Sequence, residues 1–312
     1  MENPYKANSF IFLLMLYQLV IAEAFGIFRG FLQSQEIILP TWIILFISQF
    51  LAFLVPCIFV AAKNPDKIRV FFPLKSIDSK NILMIAGMMI AIQPITMLIS
   101  LATSSFFGNR IGDIVSGINS EGNILLSIGV VAIVPSVFEE MALRGIAFSG
   151  YRDVKITMSA LINGLFFGIM HFNPQQFIYA FILGAVFCFF VYYTKSLYSA
   201  VLGHFIINAS QAMINFVDTR NALPLETEAA QTFEDINSGG IIQILNMLIF
   251  PMIALVFLGA FIWIYIRFKQ YNLKINPPLA DEKSPSSKIL TWHFWGILSI
   301  FAIIMVFQLR IS

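Results

Sequence analysis

Charged residues are scarce in this chain of 312 residues, where Asp, Glu, Lys and Arg together make up only 12%. Soluble domains contain about 25% charged residues, so a water-soluble globular protein is excluded. The chain is instead 58% hydrophobic and 15% aromatic, which predicts helices that cross a membrane. Nor is there an excess of one sign, with 19 basic and 17 acidic residues. Because the basic residues are dispersed, we expect the lipid bilayer and not nucleic acid as a partner.

Cysteine and histidine are rare as well. The two cysteines, Cys57 and Cys188, both lie inside apolar stretches, which argues against a disulfide framework and predicts packing roles. Of the three histidines, His293 lies between two tryptophans, a pattern typical of an interfacial aromatic belt. His171 and His204 stand alone within apolar runs. We therefore expect a catalytic site to include His171 and His204.

Runs of about 20 apolar residues predict an all-α fold, a polytopic transmembrane helical bundle of about eight or nine spans. The turn signal Phe172-Asn-Pro174 separates a short fifth candidate from the sixth and predicts a tight re-entry near one membrane face. The candidate spans are 9–28, 40–62, 81–104, 122–147, 156–171, 175–193, 197–216, 240–266 and 290–309.

Basic residues predict the orientation. With a cytoplasmic N-terminus, 14 of them fall in cytoplasmic segments and 4 on the opposite side, as the positive-inside rule requires. This orientation places segments 63–80 and 267–289 in the cytoplasm and the 217–239 loop outside. We expect the membrane that holds the protein to be the plasma membrane.

An alternative for the N-terminus stays open. Residues 10–21 resemble a signal-peptide core followed by a small-residue site, Ala22-Glu23-Ala24, although Glu23 is unusual there.

Three polar clusters interrupt the apolar spans. An ionisable residue inside a membrane span costs several kcal/mol, so it is rare unless it pairs, lines a cavity or takes part in chemistry. Each cluster alone has an ordinary explanation: a snorkelling salt bridge, a packing histidine or an interhelical hydrogen bond. Together they provide a base, orienting groups and an amide donor, a set that can activate water. The clusters are Glu139-Glu140-Met-Ala-Leu-Arg144, Phe167-Gly-Ile-Met-His171 and His204-Phe-Ile-Ile-Asn208.

Helix geometry predicts that the clusters meet. Glu140 and Arg144 are four residues apart and can form an ion pair, whereas Glu139 faces about 100° away. At 1.5 Å per residue, His204 lies roughly 10 Å and Asn208 roughly 16 Å from the cytoplasmic start of their span. Glu139 falls in the cytoplasmic half, and His171 lies roughly 22 Å deep. We expect these side chains to surround one cavity that opens to the cytosol.

In this order, the three motifs resemble those of the CPBP family, which comprises CAAX prenyl endopeptidases and bacteriocin-processing enzymes and is also called the ABI or CAAX protease family. The resemblance covers about residues 120–210. It implies a hydrolase with a four-helix catalytic core, an intramembrane endopeptidase that cuts a membrane-associated peptide or protein in CAAX-type or leader-peptide processing. We accordingly divide the chain into N-terminal transmembrane helices (1–121), a catalytic membrane core (122–216) and a C-terminal part (217–312) with an external loop, further transmembrane helices and a cytoplasmic linker.

The resemblance also implies a catalytic role for each motif residue. Glu139 would be the general base that takes a proton from water, and His171 would hold or polarise that water. His204 and Asn208 would donate to the oxyanion that forms when the water attacks a peptide carbonyl.

Arg144 and Glu140 would position Glu139 electrostatically, and the cofactor stays open. His171, His204 and Glu139 could form a His₂Glu site for a divalent metal such as zinc, as in a metalloprotease. The same residues also suffice for a metal-free glutamate mechanism, and no His-Glu-x-x-His motif is present.

Two other functions remain open from the sequence. A catalytically silent relative would act as a membrane scaffold or immunity protein. A proton-coupled transporter would use the same residues as a relay, although its polar groups are usually divided between paired halves, whereas here they cluster in one third of the chain. The sequence does not indicate the substrate's prenylation or the oligomeric state.

Overall fold

Helices account for all regular structure in the part of the chain that the computed structural model describes, residues 3–107, 110–122, 124–221, 240–277 and 288–311. A short helical turn, Ile68–Phe71, lies between the second and third long helices. The longer helices are α1 (Pro4–Ser34), α2 (Thr41–Lys63), α3 (Ser79–Phe107), α4 (Arg110–Glu121), α5 (Ile124–Tyr151), α6 (Ile156–Ile169), α7 (Pro174–Thr194), α8 (Leu197–Asn221), α9 (Gly240–Ile275) and α10 (Trp292–Ile311).

The apolar helices coincide with the predicted spans. Within the described residues, seven helices are long and apolar enough to cross a membrane, namely α1, α2, α3, α5, α7, α8 and α9, and two shorter apolar helices are α6 and α10. The prediction of an all-α polytopic bundle is confirmed, and the chain is an integral membrane protein. Most of the predicted outer loop, 222–239, and part of the linker, 278–287, fall outside the described residues. The division into three parts stays a prediction.

Helix α4 has no counterpart among the predicted elements. Its 12 residues are too short and too polar to span a membrane, and they join α3 to α5. Asn119 of α4 donates to Asn215 of α8 at 2.8 Å and accepts from the Ser127 hydroxyl at 2.5 Å. These hydrogen bonds connect α4 to α5 and α8, the helices that carry the first and third motifs. The contact with α5 lies at the end of that helix far from its two glutamates.

Helices α2 and α5 are interrupted by wider, π-helical turns. One in α2, Phe50–Leu54, ends just before Pro56, and one in α5, Ile128–Ile133, ends just before Pro135. Proline has no N–H to donate, and its ring crowds the carbonyl four residues back, so a locally wider turn relieves the clash. A second π turn in α5 is Met141–Ala147. The glutamate pair therefore lies between two π turns, which are frequent at functional sites.

Helices α6 and α7 pack backbone to backbone along a glycine face. A Cβ atom at Gly164 would lie 2.6 Å from the Phe181 carbonyl oxygen, and one at Gly168 would lie 2.7 Å from that of Phe177. Small residues allow such close approach between membrane helices. The contact fixes the position of the turn that follows α6.

The turn between α6 and α7 confirms the predicted tight connection. Because α6 has 14 residues, it rises about 21 Å, less than the roughly 30 Å of a bilayer core, and the backbone of the turn needs protein partners. Asn173 caps α7 by accepting from the Gln175 N–H at 2.9 Å. The Phe172 carbonyl accepts from Gln308 of α10 at 2.8 Å. Both bonds satisfy polar groups that lipid cannot.

Candidate active site

Polar side chains from α5 and α8 meet in the interior of the bundle. Glu139, Glu140, Arg144 and His204 are each at most 5% exposed. A salt bridge that snorkels to the membrane surface is therefore excluded, because its charged groups would reach water. Burial of this set requires that each charge be paired within the protein.

Glu140 is the centre of the cluster. Its Oε1 atom accepts hydrogen bonds from Arg144 Nη1 and from His204 Nδ1, both at 2.9 Å. The i, i+4 ion pair with Arg144 is as predicted. The bond from His204 joins α8 to α5, and the spacing of residues along the chain does not predict this contact between separate helices. Glu140 thus connects two of the three motifs directly.

Arg144 is held by three further groups. Its Nη2 atom donates to the Gly184 carbonyl at 2.9 Å, and the guanidinium lies over the rings of Phe167 and Phe187, 4.3 and 5.3 Å from their centroids. Aromatic faces attract a cation, more strongly where water is absent. A Cβ atom at Gly184 would lie 2.8 Å from Phe167 Cβ and 2.9 Å from the Gly164 Cα atom, so glycine is required there. Helix α7 therefore contributes to the site although it carries none of the motifs.

His204 is oriented through both of its ring nitrogens. Because the Glu140 carboxylate can only accept, the proton lies on Nδ1, and Nε2 of the neutral ring accepts from Asn208 Nδ2 at 3.2 Å. Asn208 Nδ2 also donates to the Val131 carbonyl at 3.1 Å. The imidazole stacks on Phe187 with 5.3 Å between ring centroids. These contacts leave His204 a single orientation.

Glu139 points to a different helix from Glu140, as the helical geometry predicts. Its Oε1 atom accepts from Gln49 Nε2 of α2 at 3.0 Å. Gln49 was not identified from the sequence. The one available signal is an isolated amide within an apolar span, which is more often a packing contact. The carboxylate nevertheless receives a hydrogen bond from outside the three motifs.

His171 lies in the turn after α6, beside the same cluster. Its Nδ1 atom donates to the Phe167 carbonyl at 2.6 Å, so Nε2 of the neutral ring is an acceptor. The Phe167 ring contacts both imidazoles, with centroids 4.7 Å from His171 and 5.4 Å from His204. His171 is in electrostatic range of Glu139 and Arg144. Phe167 is therefore the common wall between the two histidines.

The proposed metal ligands do not form a metal-binding group. In the described parts of the chain, no three His, Cys, Asp or Glu side chains are close enough together to hold a metal ion. Both nitrogens of His204 already have protein partners, Glu140 and Asn208. Cys57 and Cys188 are buried free thiols in the hydrophobic core. The His171, His204 and Glu139 set thus does not fit a His₂Glu zinc site, and no step below is derived through a metal.

Comparison with known families identifies the segment that carries this site. Residues 121–210 match the family model described as Type II CAAX prenyl endopeptidase Rce1-like. Neither the comparison with curated proteins nor that with solved structures gives a match. The matched range includes the whole of α5, α6 and α7, and it ends within α8 beyond Asn208. It therefore contains all three motifs, whereas Gln49 lies outside it.

Proposed function

Residues 121–210 form a domain of the CAAX protease (CPBP) family, and from this premise we propose that the protein is an intramembrane endopeptidase that hydrolyses a peptide bond in a membrane-associated peptide or protein. The observation that carries the proposal is the Glu140 carboxylate, which joins the first and third motifs at 2.9 Å inside an apolar bundle while Glu139 stays available beside it. A polar network that is this completely buried needs a functional reason, because burial disfavours each charged member.

Glu139 is the proposed general base. Its carboxylate takes one proton from a water molecule, and His171 Nε2 accepts a hydrogen bond from the same water and orients it. The resulting hydroxide attacks the carbonyl carbon of the scissile bond. Protonated Glu139 then delivers the proton to the amine nitrogen as the C–N bond breaks, so that the base returns to its starting state. General acid–base catalysis of this kind contributes about 10²- to 10⁴-fold to the rate.

Asn208 is the proposed oxyanion donor, with His204 as its partner. Both N–H groups of the Asn208 amide are used at rest, one on His204 Nε2 and one on the Val131 carbonyl. Binding of the oxyanion must therefore replace the bond from Asn208 to His204 Nε2, so His204 serves as the acceptor that orients the amide and not as a second donor. Donors placed where negative charge develops are worth most in a site that excludes water.

Glu140 and Arg144 are the proposed positioning pair. They are adjacent to the base in sequence but share no acceptor atom with it, since Glu139 bonds to Gln49 and Glu140 to Arg144 and His204. The pair holds α5, α7 and α8 in register around the reacting water.

Purified protein should cleave a membrane-proximal peptide, which tests the function directly. Tagged peptides with prenylated CAAX ends and tagged leader peptides, reconstituted in lipid vesicles, would be incubated with the protein and their products identified by mass spectrometry. The control is the Glu139→Gln variant, prepared identically. Cleavage by the native protein alone supports the proposal, whereas equal cleavage by both samples or by neither contradicts it.

The proposed topology places the N-terminus in the cytoplasm of a cell whose plasma membrane holds the protein. In a background with Cys57 and Cys188 replaced by alanine, we expect Ser76→Cys to be labelled from the cytoplasmic side and Thr227→Cys from outside. Ser76 lies between α2 and α3, and Thr227 lies outside the described residues. Labelling of both cysteines from the same side would show that the nine-span arrangement is wrong.

Cleavage is expected to persist after metal removal. Dialysis against a strong chelator, with metal content checked by elemental analysis, should leave the rate unchanged within about twofold, because the proposed steps use only side chains of this chain. Loss of activity that stoichiometric zinc restores, accompanied by loss of bound metal in His171→Ala, would instead establish the metalloprotease alternative.

A further inference from the structure

Gln49 is a half-buried residue whose amide has one partner and one buried, unsatisfied atom. Its Nε2 donates to Glu139 Oε1 at 3.0 Å, whereas its own Oε1 atom is buried and has no hydrogen-bond partner in the described structure. A buried amide oxygen without a partner lowers the stability of the folded protein, because it loses its hydrogen bonds to water. An apolar residue of similar size would avoid that penalty, so what glutamine adds at this place is its hydrogen bond to the buried Glu139 carboxylate.

The position of Gln49 is set by an unusual part of α2. It is the last residue of the α-helical stretch Thr41–Gln49, and the π turn Phe50–Leu54 begins immediately after it. This π turn packs against α5 at the level of the glutamates, since Val134–Glu140 is the α-helical stretch it contacts. The Gln49 amide therefore lies against α5, with its Nε2 atom 3.0 Å from the proposed base.

We propose that Gln49 is a positioning residue of the peptidase site, which holds the Glu139 carboxylate through its amide N–H so that the second carboxylate oxygen is directed at the water. The inference rests on the proposed function of Glu139. A glutamate side chain has three rotatable bonds, and a fixed donor on one oxygen removes most of that freedom before substrate arrives. Misplacement of a catalytic group by about 1 Å can reduce a rate about 100-fold.

A second glutamine provides a matched control. Gln18 of α1 is buried, its Nε2 atom lies 3.5 Å from the backbone carbonyl of Ala52 in the π turn that follows Gln49, and its Oε1 atom is likewise unsatisfied. The two glutamines thus share residue type, a buried unsatisfied Oε1 atom and proximity to one π turn, although Gln49 as a whole is only half-buried. They differ in the acceptor, which is a carboxylate of the proposed base for Gln49 and a backbone carbonyl for Gln18.

Replacement by methionine, which keeps the length of the side chain, separates the two cases. Gln49→Met should lower kcat about 10- to 100-fold with KM within about twofold, because the base is misplaced while the substrate contacts remain. Gln18→Met should leave both constants within about twofold. The unfolding temperature of both variants should be no lower than that of the native protein, because methionine keeps the packing and removes the buried unsatisfied amide oxygen.

Replacement by glutamate gives a readout that a packing role would not produce. Gln49→Glu places a second carboxylate against Glu139, and two carboxylates at this distance share one proton until the pH rises. The acid limb of the pH profile of kcat should therefore move to higher pH, with activity recovering as the pH increases. The other titratable or charged groups near Glu139 are Glu140 and Arg144 of α5, His204 of α8 and His171 in the α6–α7 turn.

The outcomes distinguish this inference from the proposed function. A fall in kcat confined to Gln49→Met, together with the displaced profile of Gln49→Glu, supports it. Native kinetics in Gln49→Met, or an equal fall in Gln18→Met, overturns the role of Gln49 and leaves Glu139 as the base. Native cleavage by Glu139→Gln overturns the mechanism itself, whatever Gln49 does.

Discussion

Glu139→Gln is expected to abolish peptide cleavage, with kcat lower by at least about 100-fold. The substitution keeps the side-chain volume, and the new amide oxygen can still accept from Gln49 Nε2, which lies 3.0 Å from the native carboxylate. What is lost is the only group proposed to remove a proton from water. Initial rates in lipid vesicles under saturating peptide would measure the effect on kcat.

The fold of Glu139→Gln should be intact, because the new amide oxygen can keep the hydrogen bond from Gln49 of α2, and the contact between α5 and α8 is made by Glu140. Unfolding temperature and elution volume on size exclusion should therefore equal those of the native protein. An inactive variant that is also unfolded would not separate catalysis from architecture, and full activity in a folded variant would show that the glutamate mechanism is wrong.

Glu140→Gln is expected to reduce stability as well as activity. Arg144 and His204 can still hydrogen-bond to the amide oxygen at the position of the native Oε1, 2.9 Å from both nitrogens, but the negative charge is gone. Arg144 is then a buried cation without a counter-charge, which costs about 3–5 kcal/mol in comparable buried pairs. The free energy of unfolding, measured by denaturant titration in detergent micelles, should fall by about that amount.

A double variant provides the control for this loss. Glu140→Gln combined with Arg144→Met removes both charges and leaves no unpaired cation, so much of the lost stability should return. Activity should not return, because the positioning pair is absent. A double variant less stable than Glu140→Gln would contradict the assignment of Arg144 as the unpaired charge.

Local geometry explains what could be predicted from the sequence. The spans follow from hydropathy alone, and the Glu140–Arg144 pair follows from the i, i+4 spacing, because both depend on residues within a few turns of each other. The resemblance of residues 121–210 to the family was recognisable from the three motifs, because each motif also consists of residues close together in the sequence. The different directions of Glu139 and Glu140 followed from 3.6 residues per turn.

Contacts between helices were decided only by the tertiary structure. Hydropathy does not show which face of an apolar helix meets which neighbour, because lipid tails and the protein interior are equally apolar surroundings for an apolar side chain. Three hydrogen bonds depend on that choice of faces. They are donated by His204 to Glu140, by Arg144 to the Gly184 carbonyl and by Gln49 to Glu139. Glycine contacts between α6 and α7 and the proline-linked π turns determine which helix faces pack together. The sequence by itself therefore determined the membrane spans and the chemical groups, and the packing of the helices decided which groups contact one another.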